Sequence, residues 1–266
     1  MRTMEPEPTG AKENGSDFVQ SLERGLAVIQ AFSASRPRLT LSDVARSTGL
    51  TRAAARRFLL TLQQLGFVDS DEREFYLTPR ILQLGYAYLS STPFWGLAQT
   101  HIEELVDRLH ESSSISVLDR DEIVYVARVP TKRIMTISLA VGSRLPAYAT
   151  SMGRVLLANL PDEQIDAYLA RAELAPLTSR TVTDPTVLRA LLLDVREQGW
   201  ALVDQELEDG VRSIAAALRG ADGRVLGALN VSAHATRTNL DALRRQFLPA
   251  LLETTERINT DLSRRR

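Results

Sequence analysis

The chain has no cysteine in its 266 residues. Disulfides and thiolate metal sites are excluded, and the composition suits a reducing compartment, so a cytoplasmic location is expected. Histidine is scarce: His101, His110 and His234 are scattered, and without cysteine they form no metal-ligand spacing. Lysine is nearly missing. Among 32 basic residues only Lys12 and Lys132 are lysines, so finding arginine at a given position says little by itself. No stretch approaches the roughly 18 apolar residues of a membrane-spanning helix, and no membrane association is expected. The opening MRTMEPEPTGAKENGSD has no apolar core of a signal peptide, and residues 1–15 read as a polar, disordered tail. Catalytic signatures are missing too: there is no GxSxG elbow, P-loop or GxGxxG. Asp204, Ser213 and His234 supply the residue types of a hydrolase triad, but on separate predicted strands without a nucleophile turn. The chain therefore reads as a non-enzyme with neither cofactor nor metal.

What is present is a globular composition, 44% hydrophobic and 24% charged, in a length that suits one large or two ordinary domains. The net charge of −1 argues weakly against a nucleic-acid partner, but the charge is uneven. Between positions 36 and 57 stand Arg36, Arg38, Arg46, Arg52, Arg56 and Arg57 against the single acid Asp43, a local balance of +5. A local basic face is what DNA binding requires, because affinity comes from neutralising a few phosphates and releasing their counterions.

That basic segment, RLTLSDVARSTGLTRAAARRFLLTLQQLG, reads as helix, turn, helix. Thr40 and Asp43 have the spacing of a capping box, Gly49 suits a left-handed turn, and Thr51 is a candidate cap for the second helix. In that helix Ala55, Phe58, Leu59, Leu62 and Leu65 form the expected buried stripe, and Gly66 stops it. Arg52 and Arg56, four apart, share a face with Arg57 beside them. This is the pattern of a helix that enters the DNA major groove, where arginines reach base edges or phosphates and the small Ala53 and Ala54 permit close approach. The plainer alternative is a solvated helix face. Arg38 and Thr40 are further phosphate candidates, with a surface charge and a cap as their plain readings. Around this motif, residues 16–32 have helical periodicity. Residues 67–77 read as a hairpin wing whose tip carries four acids and so faces a polyanion poorly. Thr78-Pro79 starts a linker helix that ends near the Ser90-Ser91-Thr92-Pro93 break.

Beyond the break the pattern changes. Helices are expected at 97–110, 151–160, 163–170, 185–198 (opened by Asp184-Pro185 and closed by Gly199) and 239–262. Strands are expected at 114–118, 123–129, 135–141, 200–207, 214–218 and 225–231. About six strands with hairpin connections and flanking helices make an α+β domain on an antiparallel sheet. The domains divide as a tail (1–15), a winged helix-turn-helix (16–78), a linker helix (79–95) and a second domain (96–266).

SLERGLAVIQAF, LSDVARSTGLTRAAARRFLLTLQQLGFV, VGSRLPAYATSMGRVLLA, LEDGVRSIAAALR and GALNVSA together resemble the IclR family of bacterial transcriptional regulators, over about residues 18–262. RAAARRFLLTL and VPTKRIMTISLAVGSRLPAYATSMGRVLLA look most like its regulators of aromatic-acid breakdown through protocatechuate and β-ketoadipate. The resemblance implies a GAF-like C-terminal effector domain, homodimers or dimers of dimers, palindromic operator DNA, and RNA polymerase as a further contact. DNA contact then falls on Arg38, Thr40, Thr51, Arg52, Ala53, Arg56 and Arg57. It also implies an effector pocket at Ser151, Met152, Asp204, Ser213, Asn230 and Ser232, for a small aromatic or keto acid. Hydroxyls and an amide there suit a carboxylate or phenol, and a helix N-terminus near Thr150–Arg154 suits an anion. Arg133 and Arg154 are candidate carboxylate partners and Tyr148 a candidate stacking ring. The plain reading of each is structural. Two rivals remain open: a regulator of the same fold that senses an aliphatic keto acid, and an enzyme or sensor domain with a degenerate DNA module.

Overall fold

The computed structural model describes residues 17–91, 94–131 and 139–264. The expected tail (1–15) lies outside the described residues, as do Lys132, Arg133 and most of the expected strand at 135–141. The chain divides into two compact units between Tyr88 and Leu89.

The first unit holds α1 (Gln20–Gln30), β1 (Arg38–Thr40), α2 (Leu41–Thr48), α3 (Arg52–Gln64), β2 (Val68–Ser70), β3 (Glu74–Leu77) and most of α4 (Leu82–Ser91). Local chemistry sets these boundaries. Thr40 and Asp43 form a reciprocal capping box on α2, and Gly49 ends that helix at φ +66°, a left-handed conformation that glycine adopts without strain. Thr51 caps α3 by accepting from the Ala54 amide. Val28, Leu39, Val44, Ala55, Leu59, Leu62 and Val68 make the core. Leu65, expected in the buried stripe, is instead half exposed, because α3 ends at Gln64 and the chain turns away at Gly66. The wing is also larger than the expected hairpin, since β1 pairs with β3 to complete a three-stranded sheet ordered β1-β3-β2. Thr78 caps a single 3-10 turn (Pro79–Ile81) that leads into α4.

The second unit contains α5 (Phe94–Leu109), β4 (Ser112–Asp119), β5 (Glu122–Val129), β6 (Arg144–Pro146), α6 (Ser151–Ala158), α7 (Asp162–Arg171), α8 (Pro185–Gln198), β7 (Trp200–Asp204), β8 (Val211–Arg219), β9 (Val225–His234), α9 (Leu240–Ala242) and α10 (Leu248–Arg264). A π-helical turn, Leu243–Phe247, joins the last two helices. All six strands pair antiparallel in the order β6-β5-β4-β9-β8-β7. One described strand, β6, was not anticipated; it is three residues long and carries Pro146, which only a sheet edge tolerates.

Both faces of the sheet are covered, so its strands bury side chains on either side. Ile115, Ile214, Ala216, Leu229 and Val231 face α5 and α10. Ile123, Tyr125, Ala201, Ala215, Ala217 and Ala228 pack with Met152, Val155 and Leu156 of α6 and with α7 and α8. The alanines on this second face let α6 lie close to the sheet. Every residue of α6 is buried.

Candidate functional site

On the exposed side of α3, Arg52, Ala53, Arg56 and Arg57 face solvent, and none of the three arginines has a carboxylate partner among the described residues. The opposite side, Ala55, Leu59 and Leu62, is in the core. Thr51 and Thr40 are caps, and Thr40 Oγ1 also donates to Asp43 Oδ2 at 2.6 Å. Arg38 is already engaged: it pairs with Asp71 at the wing tip, and its guanidinium lies 4.6 Å from the Tyr76 ring centroid. The basic surface therefore concentrates on α3. Arg38 neutralises one of the wing acids.

In the second unit a cleft opens on the α6 face of the sheet, with about 530 Å³ of space between protein atoms counting its solvent-open mouth. Strand register explains its wall. Val203, Ser213, Ser232 and Ser112 lie across from one another on β7, β8, β9 and β4, and Ala201, Ala215, Asn230, Ser114 and Arg128 form the adjacent row. Residues two apart on a strand share a face, so both rows point to α6. Ser151 and Met152 from the start of α6, with Leu207 from the β7–β8 connection and Val211 from the start of β8, close the cleft.

Five of the six expected effector residues line this cleft: Ser151, Met152, Ser213, Asn230 and Ser232. Asp204 does not. It follows Val203, which does line the cleft, and strand alternation sends its carboxylate to the opposite face, where Arg212 and Arg180 hold it. Burial raises the Asp204 pKa, but hydrogen bonds from Arg212 and Gln205 outweigh this and leave it below the usual carboxylate value. Asp204 and Ser213 thus face away from each other, and His234 Nδ1 is engaged 2.8 Å from Thr236 Oγ1, so the triad residue types do not converge.

Some cleft groups are committed and some are free. Asn230 Oδ1 accepts from the Ser114 amide at 3.0 Å, and its Nδ2 donates to Ser232 Oγ at 3.0 Å. Ser116 Oγ approaches Met152 Sδ at 3.2 Å. By contrast Ser151 Oγ is buried with no hydrogen-bond partner. Arg128, half-buried in the wall, donates from Nη1 to Ser114 Oγ at 3.2 Å and meets no carboxylate among the described residues. Burial lowers its pKa, with a smaller opposing influence from Tyr125, whose own phenol burial pushes up to about 12. A cation desolvated without a counter-anion, in a cleft that also holds an unpartnered buried hydroxyl, suits a small anion.

Sequence reading missed Arg128 and Tyr125 for a physical reason. Three positions separate them, which on a regular strand places them on opposite faces. A β-bulge opposite Ile115 and Ser116 inserts Val126 as an extra residue and returns Arg128 to the face of Tyr125. Arg154, a candidate ligand partner, is instead buried in an ion pair with Glu206, Nη2 to Oε2 at 2.5 Å. Tyr148 is a core residue whose hydroxyl donates to the Ala175 carbonyl at 2.7 Å.

The helix-turn-helix model of IclR proteins matches residues 21–72, and the bacterial transcriptional regulator IclR C-terminal model matches residues 86–260. The chain belongs to the IclR family of bacterial transcriptional regulators. The Pca regulon regulatory protein of Pseudomonas putida is 50% identical over 237 residues, 89% of this chain and 81% of that protein. A protein of Rhodococcus sp. RHA1 of known crystal structure is 54% identical, with a TM-score of 0.83 over 92% of this chain and 99% of that one. An IclR homologue of Microbacterium hydrocarbonoxydans, solved in complex with 4-hydroxybenzoate, is 26% identical, with a TM-score of 0.81 over 91% of this chain and 98% of that one. As an IclR-family member this chain is a DNA-binding regulator with a small-molecule effector domain and not an enzyme. No helix among its described residues is long and apolar enough to cross a membrane.

Proposed function

We propose that this IclR-family regulator controls aromatic-acid catabolism through the protocatechuate and β-ketoadipate pathway, with a small carboxylic acid seated in the cleft as its effector. The single observation that carries the reading is Arg128, a half-buried cation without a carboxylate partner among the described residues, in the same cleft as the unpartnered Ser151 hydroxyl. The carboxylate pairs with Arg128, and Ser213 and Ser232 offer hydroxyls to a ring substituent. Met152, Val203 and Leu207 cover the ring. The name of the Pseudomonas putida relative and the 4-hydroxybenzoate in the Microbacterium structure support the same chemical class.

In this reading residues 16–78 bind DNA, 79–95 link, and 96–266 sense. Arg52, Ala53, Arg56 and Arg57 contact a palindromic operator, with Thr51, Thr40 and Arg38 nearer its backbone. The protein works in the cytoplasm as a homodimer or dimer of dimers, beside RNA polymerase. Its own surface supports self-association: Phe18, Val19, Leu22 and Leu26 at α1, and Leu82, Leu84, Tyr86 and Tyr88 of α4, are exposed apolar side chains. The effector acts by binding two DNA-affinity states unequally, since a ligand shifts an equilibrium only by its differential affinity.

The test is calorimetric titration with protocatechuate, 4-hydroxybenzoate and β-ketoadipate, followed by operator gel shifts with and without each acid. A saturable acid that changes operator affinity is expected. Binding of none of the three, or binding that leaves operator affinity unchanged, overturns the reading.

A further inference from the structure

Arg154 and Glu206 are 52 positions apart and both buried, yet neither lines the cleft. Besides each other, their side chains bond backbone atoms of two separate loops. Arg154 Nε donates to the Tyr148 carbonyl at 2.9 Å, in the loop that delivers Thr150 and Ser151. Glu206 Oε2 accepts from Arg154 and also from the Val182 amide at 3.1 Å. The Glu206 carbonyl accepts from Thr181 Oγ1 at 2.6 Å, and the neighbouring Gln205 carbonyl from Thr178 Oγ1 at 2.8 Å. One side of the cleft is thus built from residues 147–152, the other from 205–211, and a single ion pair joins them through the loop at 178–182.

Packing around α6 admits little adjustment. A Cβ placed on Gly153 would sit 2.1 Å from the Ala147 carbonyl oxygen, so the 147–150 loop lies directly against the helix. With that side fixed, the Arg154–Glu206 contact ties the segment that carries Leu207 to α6, while pairing with β9 holds Val211. Burial makes the contact directional: two charges desolvated together tolerate no alternative partner, and hydrogen bonds to fixed backbone atoms set the angle.

We propose that Arg154 and Glu206 are positioning residues of the effector cleft, a clamp that holds its two walls at the separation a small acid requires. The proposal rests on the effector reading above. It departs from a purely stabilising role in one respect: stability can be restored without the clamp. Replacing a buried ion pair by apolar residues of similar volume is often neutral or stabilising, because no charge is left uncompensated. The double variant Arg154→Met/Glu206→Leu therefore keeps the core but deletes the hydrogen bonds to Tyr148 and Val182.

Full-length wild type and double variant are to be compared by thermal unfolding and by calorimetric titration with protocatechuate, 4-hydroxybenzoate and β-ketoadipate. The expected result is a melting temperature near that of wild type with at least about tenfold weaker binding of whichever acid the wild type binds. Wild-type affinity in a stable double variant overturns the clamp while leaving the effector reading intact. Failure of the wild type to bind any of the three acids overturns both. Should the double variant not fold, Thr181→Val removes the hydroxyl that donates to the Glu206 carbonyl and accepts from the Thr178 amide, leaving both charges in place. A several-fold loss of affinity in that folded variant supports the clamp, and unchanged affinity overturns it.

Discussion

The arginines of α3 and those of the effector unit are the same residue type in opposite circumstances. In the effector unit most described arginines are answered by an acid: Arg144 by Asp119 and Glu122, Arg171 by Asp121, Arg189 by Asp166, Arg196 by Asp162, Arg212 by Asp204, Arg154 by Glu206. On α3, Arg52, Arg56 and Arg57 are exposed with no acid among the described residues to answer them. Among the described residues Arg120, Arg219, Arg224 and Arg244 also lack an acid, but they are exposed; Arg128 is half-buried in the cleft wall and donates to a serine. In a chain so biased toward arginine, the residue type is uninformative and the missing counter-charge is the signal. In the function proposed above, the clustered cations of α3 meet phosphates and the half-buried Arg128 meets a carboxylate.

That contrast can be broken at several points. The largest effect is expected at Arg154→Ala, which strands Glu206 as an unpaired buried charge and should cost about 3–5 kcal/mol of stability, read from denaturant midpoints. Gly153→Ala forces a methyl into the Ala147 backbone and should cost about 1–3 kcal/mol or more, without altering any charge. Arg56→Ala should leave stability unchanged and weaken operator binding by about 1–3 kcal/mol if it meets a base edge; an unchanged gel-shift titration removes Arg56 from the interface.

The smallest effect is expected at Asp204→Asn. Its side chain is paired on the far face of the sheet, so acid-effector affinity should not change, and stability should fall by about 1 kcal/mol or less at neutral pH. Its folded-state pKa is depressed, so the stability it adds is fully present above the unfolded value, near 4. That contribution is lost as pH falls through the folded value. The difference between wild type and Asp204→Asn should therefore shrink below pH ~4; a constant difference would contradict the assigned pairing.

Legibility of these features in the sequence followed the range of the interactions. The Thr40–Asp43 box, the Thr51 and Asp184 caps and the Gly49 and Gly199 stops involve residues within four positions, and each was readable. The family resemblance named Ser213, Asn230 and Ser232 together, and the β8–β9 register brings them to one wall of the cleft. Reading failed where something non-local intervened. The bulge at Val126 is set by pairing with β4, and it reversed the face of Arg128. The Arg154–Glu206 pair spans 52 positions, and β1 gains its strand only from β3. At Asp204 the failure was a single residue, enough on a strand to exchange one face for the other.

The most direct test is at Arg128. Arg128→Leu removes the unanswered cation and relieves its desolvation, so the ligand-free protein should melt no lower than wild type. Its affinity for the acid effector, measured by calorimetry with the acid that wild type binds, should fall at least tenfold, in line with the ~1.5–3 kcal/mol of a hydrogen bond to a charged group. Undiminished binding of the acid by Arg128→Leu, or loss of the fold without it, would contradict the reading of Arg128 as a cation held ready for an external carboxylate.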